Sequence, residues 1–148
     1  MRLRKTPQAF TLIELILVIT ILALLATVVA VNIMPRSAEA KRGTARLQIS
    51  NFKNGLQWFR FDNGFYPSTE QGLNALVEKP AIGRIPAKWP EEGYLDSPKV
   101  PKDPWGNDYL YISPGPTDAP FDIVCFGADG VEGGEGENAD ITCWQVDQ

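Results

Sequence analysis

Residues 10–64 read FTLIELILVITILALLATVVAVNIMPRSAEAKRGTARLQISNFKNGLQWFRFDNG, and the fold turns on how this run is divided. From Phe10 to Pro35 the one charge is Glu14. At about 1.5 Å per helical residue, that stretch reaches about 39 Å, more than the hydrocarbon core of a bilayer. A membrane-inserted helix is therefore expected over residues 10–35. The rival reading is a cleaved secretory signal with Ala38-Glu39-Ala40 at its cut. Against it, the apolar run is about twice the length of a usual signal core and holds an acid. Beyond Pro35 the composition turns polar while helical spacing persists. Ala45, Ile49, Phe52, Leu56 and Phe59 follow one another at steps of four, three, four and three, which makes one apolar stripe. With no proline from Arg36 to Tyr66, a kink is expected at Pro35 alone, and Asp62-Asn63-Gly64 supplies a stop. Residues 36–64 thus read as an amphipathic continuation of the helix, its stripe packed on a sheet of the same domain.

Outward from this run, residues 1–9 carry Arg2, Arg4 and Lys5 and no acid. Arg36, Lys41, Arg42 and Arg46 follow the apolar run closely, so the positive-inside count does not decide orientation. On the other side, residues 65–148 form the globular part. Glu70 to Val77 reads as a short helix, and prolines at 80, 86, 90, 98, 101 and 104 mark a long, tethered loop. Tyr109–Ile112, Phe121–Phe126 and Ile141–Val146 then read as short strands of an antiparallel sheet. The expected fold class is α+β: one long N-terminal helix, membrane-spanning in its first half, packed on a small antiparallel sheet.

Composition narrows the chemistry. The chain of 148 residues has room for one ordinary domain and contains no histidine, which removes Ser-His-Asp and Cys-His catalysis and the commonest zinc ligand. A net charge of -4 argues against a nucleic-acid partner. There is no P-loop, dinucleotide fingerprint or nucleophile elbow, so an enzyme is not expected.

Two features ask for a partner. A carboxylate inside a spanning helix costs on the order of 2.5–3.5 kcal/mol on insertion scales. Glu14 lies one helical turn from Phe10, so cleavage before Phe10 would create an α-amino group suited to neutralise it, in the same chain or a neighbour. Physics alone leaves the alternative, a Glu14 among the headgroups, equally open. The second feature is residues 118–148, with eight acids and no lysine or arginine. Glycines at 130, 133, 134 and 136 let backbone carbonyls turn inward beside these carboxylates, the donor set a hard cation such as Ca²⁺ takes. Val131 and Gly133 break the EF-hand pattern, and a solvated acidic turn remains the competing reading. Cys125 and Cys143 flank this loop. On adjacent strands a bridge between them would be worth about 3 kcal/mol, and that bridge is expected over two buried thiols. Asp103-Pro104-Trp105-Gly106-Asn107 suggests either a carbohydrate platform, with Trp105 and Tyr109 as stacking faces, or an anchor in which Trp105 ties the proline-rich loop to the core. The second is favoured.

The segment Gln8-Ala9-Phe10-Thr11-Leu12-Ile13-Glu14 resembles the type IV prepilin signature. Further blocks are Asp62–Leu73 (DNGFYPSTEQGL), Val77–Pro80, Lys102–Asn107, Gly127–Gly130 and Ala139-Asp140-Ile141. Together these resemble, in order and along the whole chain, the major pseudopilin (G subunit) family of type II secretion systems, within the type IV pilin-like superfamily. The resemblance implies cleavage by a prepilin peptidase between Ala9 and Phe10, and N-methylation of Phe10. Ala9 stands where the family usually has glycine, and Val31 where many relatives have proline. It implies that Glu14 pairs with a subunit's N-terminus during assembly. It also implies a calcium ion held by Asp129 and Asp140 with the carbonyls of Phe126 and Val131, Glu135 or Glu137 being a further candidate ligand. The implied protein is the main subunit of a periplasmic pseudopilus that pushes folded exoproteins through an outer-membrane secretin. Its partners would be its own copies, minor pseudopilins, an inner-membrane assembly platform and the peptidase. It would cross the inner membrane once, with its C-terminal domain, the globular part 65–148, in the periplasm. The rivals are a type IV pilin of a surface fibre and a membrane-anchored, calcium-dependent binding module that never polymerises.

Overall fold

The structure, a computed structural model, describes residues 11–116 and 118–144, with the backbone alone for residues 26–36. In chain order it has a helix α1 (Leu12–Asn63), a 3-10 turn at Leu73–Leu76 and a strand β1 (Leu110–Ile112). Strand β2 (Asp122–Cys125), a second 3-10 turn at Gly136–Asn138 and strand β3 (Ile141–Thr142) complete it. The chain divides into two compact units, Met1–Ser37 and Ala38–Gln148.

In the first unit, α1 begins with Thr11 as its N-cap. Thr11 offers both its carbonyl (3.1 Å) and its hydroxyl oxygen (3.4 Å) to the Glu14 N–H, three residues on. From Thr11 to Leu25 every side chain is exposed, Leu12 at 76% and Ile13 at 75% among them. A helix apolar on all sides has no place for its surface in water within its own unit. Among the described residues no helix is long and apolar enough to cross a membrane.

The second unit holds the core. Ala45, Ile49, Phe52, Leu56 and Phe59 are each exposed by 1% or less, so the stripe read from their spacing is the buried face of α1. It packs with Leu73, Leu76, Tyr109, Tyr111, Phe121, Ile123 and Ile141 in one cluster. Phe52 meets Tyr109 edge-on at 5.0 Å, and Phe59 lies 5.6 Å from Phe65 and 5.4 Å from Tyr94. The helix stops as expected. Gly64, at φ 79°, donates its N–H to the Arg60 carbonyl (2.7 Å), and the Asn63 side chain caps the Phe59 carbonyl (3.1 Å).

The sheet has the order β1-β2-β3 and is antiparallel throughout, with Tyr111 opposite Ile123 and Cys125 opposite Ile141. Its strands are shorter than the apolar runs suggested. β3 ends at Thr142 because the Cys143 carbonyl accepts from the Lys53 ammonium (3.3 Å) instead of a strand; residues 145–146 lie outside the described ones. The expected helix over 70–77 contracts to the 3-10 turn Leu73–Leu76. The proline-rich stretch is a loop fastened at several points. Gln71 reaches the carbonyls of Ile82 (2.7 Å) and Arg84 (3.0 Å). The Trp89 indole donates to Ala75 (3.1 Å), and the Tyr94 N–H donates to Leu76 (2.7 Å).

Candidate functional site

Ala9 and Phe10, the expected processing residues, lie outside the described residues. Glu14 is exposed and sits in the first turn of α1, where its negative charge complements the helix dipole as well as the capping hydrogen bonds of Thr11. The spacing Thr11-x-x-Glu14 could have shown this local role from sequence.

The acidic loop is a hairpin-like excursion between β2 and β3, closed at its base by the Ala128 N–H on the Glu137 carbonyl (3.1 Å). Gly127 adopts φ 69°, and a Cβ there would come within 2.6 Å of the Asn138 carbonyl oxygen, so this close approach admits only glycine. Asp129 turns back on its own segment, Oδ1 accepting from the Val131 N–H (3.2 Å). Asp140 reaches across the loop, Oδ2 accepting from the Gly133 N–H (2.9 Å). Its other oxygen, Oδ1, is buried and has no hydrogen-bond partner. A buried carboxylate oxygen without a donor is costly, and a hard cation bonded to it would remove that cost. Carboxylate oxygens and backbone carbonyls, the donor types this loop supplies, are those calcium takes. Among the described residues no three His, Cys, Asp or Glu side chains converge as a metal cluster. Glu135 is exposed, and the Glu137 carboxylate accepts from the Trp105 indole N–H (2.9 Å).

The expected disulfide is absent: Cys125 and Cys143 are free, buried thiols. The reason is register. Cys125 stands opposite Ile141, and the Cys143 N–H bonds the Ile123 carbonyl (2.9 Å), which makes the cysteines diagonal neighbours rather than partners. Diagonal neighbours lie about 7–8 Å apart, their Cβ atoms somewhat closer, while a bridge needs Cβ atoms at about 3.5–4.5 Å. Each thiol faces an acid instead, Cys125 on Asp103 Oδ2 (3.3 Å) and Cys143 on Asp122 Oδ1 (3.2 Å). Burial pushes Cys125 up to about 11 and Cys143 up to about 12, and the neighbouring carboxylates add to the rise.

The Asp103–Asn107 turn is built on its aspartate. The buried Asp103 carboxylate accepts from the N–H groups of Trp105 (3.0 Å) and Asn107 (2.7 Å) as well as from Cys125. Trp105 packs on the core as expected, and its indole also holds the acidic loop through Glu137; Trp89 is a further tie of the proline-rich loop. Tyr109 is buried, with its hydroxyl on the Gln48 side-chain carbonyl, so no stacking platform forms with Trp105.

Comparison with known proteins places these features in one family context. Residues 32–144 match the family described as type II secretion system (T2SS), protein G, and residues 4–30 match the prokaryotic N-terminal methylation motif. The chain is 45% identical to the type II secretion system core protein G of Pseudomonas aeruginosa over 95% of this chain and 97% of that one. It is 42% identical to the core protein G of Vibrio cholerae over 99% and 97%. A crystal structure of the major pseudopilin from the type 2 secretion system of enterohaemorrhagic Escherichia coli superposes with a TM-score of 0.65 at 37% identity, covering 77% of this chain and 95% of that one.

Proposed function

The chain belongs to the type II secretion system protein G family, and from that premise we propose that it is the major structural subunit of a pseudopilus. The observation that carries the proposal is the apolar surface of α1 from Thr11 to Leu25, exposed on every side and broken by one acid. Such a surface needs lipid before assembly and the helices of other copies after it. In this reading residues 1–9 are a cytoplasmic leader removed between Ala9 and Phe10, Phe10 is N-methylated, and residues 10–35 anchor the chain once in the inner membrane. As each copy docks, Glu14 neutralises an N-terminal amine. Growth of the fibre, supported by minor pseudopilins and an inner-membrane platform, pushes folded exoproteins through the outer-membrane secretin. The role is mechanical, and no catalytic step falls to this chain.

The acidic loop has a supporting part. Asp129 and Asp140 with the carbonyls of Phe126 and Val131 would hold a calcium ion. The bound ion supplies positive charge that offsets the mutual repulsion of the loop's acids. The unpartnered Asp140 Oδ1 supports this assignment.

The test is a strain lacking the chain, assayed for exoproteins in the medium and for the intact mass of the plasmid-borne protein. Expected are loss of secretion on deletion, its return with the wild-type chain, and a mass starting at Phe10 with one added methyl group. Surface fibres together with undiminished secretion after deletion would instead make the chain a pilin. A mass of the full 148 residues would leave a membrane-anchored binding module.

A further inference from the structure

The Asp103–Asn107 turn touches the acidic loop on both of its arms. On the arm leaving β2, the Asn107 side-chain amide donates to the Gly127 carbonyl (3.3 Å), and its atoms crowd Gly130 so closely that a Cβ there would sit 3.3 Å from them. On the arm returning to β3, the Trp105 indole N–H is bonded to Glu137 Oε1, while the Lys41 ammonium lies 6.0 Å above the Trp105 ring. Both contacts come from one rigid support, because Asp103 is buried and binds the backbone N–H groups of the same two residues. The returning arm is held a second time from α1, where the Arg42 guanidinium donates to the Ala139 carbonyl (2.5 Å), next in chain to Asp140.

We propose that Trp105 and Asn107 are positioning residues for the cation site: Asn107 sets the Phe126–Val131 arm, and Trp105 sets the returning arm through its bond to Glu137. The inference rests on the calcium reading of the loop and adds two statements to it. Glu137 is a structural partner of Trp105 rather than a ligand, and affinity depends on a turn some twenty or more residues upstream in sequence. Partners of this kind orient the groups that bond a metal, and losing one weakens binding about 10–100-fold.

Calcium titration by calorimetry on the full chain in detergent micelles tests both statements, with thermal melts in chelator as the second readout. Asn107→Ala and Trp105→Phe are expected to weaken calcium binding at least about tenfold while their calcium-free melting temperatures stay close to wild type. Glu137→Gln keeps an oxygen acceptor for the indole and is expected to bind within about twofold of wild type, whereas Asp140→Asn loses most binding. Equal affinity in Asn107→Ala and Trp105→Phe would overturn the positioning role. So would a loss in their calcium-free stability that accounts for the whole effect. A Glu137→Gln defect as large as that of Asp140→Asn would make Glu137 a ligand and overturn the second statement. Absence of calcium binding by the wild-type chain would overturn the cation reading itself, a result distinct from the other three.

Discussion

Residues 11–25 and 45–59 are both helical and both supply large apolar side chains, yet their surroundings are opposite. Every described side chain of the first segment is exposed. The second hides Ala45, Ile49, Phe52, Leu56 and Phe59 almost completely and leaves Leu47 69% exposed two residues from a fully buried Ile49. The difference lies in periodicity. A stripe at steps of four and three can be covered by one small sheet, so the second segment is satisfied by its own chain. An all-round apolar surface can be covered only by something that surrounds it. One helix thus serves two purposes: a fold made within the chain, and a surface whose partner lies outside it.

The largest expected effect strikes the first segment. Glu14→Leu makes that surface more apolar, so insertion is retained, while secretion falls to the level of the deletion strain if Glu14 is the acid of assembly. Secretion at wild-type level in this variant would reduce Glu14 to a charge in the first turn of α1. In the second segment, Phe59→Ala is expected to lower unfolding free energy by about 3–5 kcal/mol, measured by denaturant melts, because its ring is enclosed by Phe65 and Tyr94. A cost near zero would mean that the stripe is not the core.

A smaller effect concerns the thiols at the base of the sheet. The native protein should resist alkylation at pH 8 and react at both cysteines once denatured without reductant. Failure of the denatured chain to react would restore the bridge that register excludes. Because the folded thiols titrate near 11 and 12 and unfolded ones near 9, folding favours the protonated forms. Their contribution is complete below about pH 9 and is lost as pH climbs through the range from 9 to 12. The melting temperature should therefore hold steady from pH 7 to 8.5 and decline above about pH 9; a flat profile to pH 10.5 would contradict it. Smallest of all, Leu47→Ala should change stability by no more than about 0.5 kcal/mol, against about 2–5 kcal/mol for Ile49→Ala. Comparable losses at the two positions would erase the distinction between the faces of α1.

Local signals made much of the fold legible. The stripe, the Asp62-Asn63-Gly64 stop and the order of three short strands were all read from spacing and turn residues. The strand ends were not, because β3 stops where Lys53, ninety residues earlier, takes the Cys143 carbonyl. The cysteine pairing failed for a related reason: proximity in sequence to the loop base says nothing of register, and a shift of two residues across β2 and β3 separates the sulfurs. Trp105 was read as an anchor and does pack on the core, but its further bond to Glu137 of the acidic loop had no local signal.

By itself, the sequence determined which parts of this protein are apolar, with what period, and where the chain turns. Those properties depend on residues within one or two helical turns of each other, and they also carry the signature through which the family is recognised. The tertiary structure alone decided which strand residues stand opposite each other, which acid each thiol meets and which arm of the acidic loop each side chain of the Asp103–Asn107 turn holds. These contacts join residues from different elements, and their partners are selected by register and packing that no local pattern encodes.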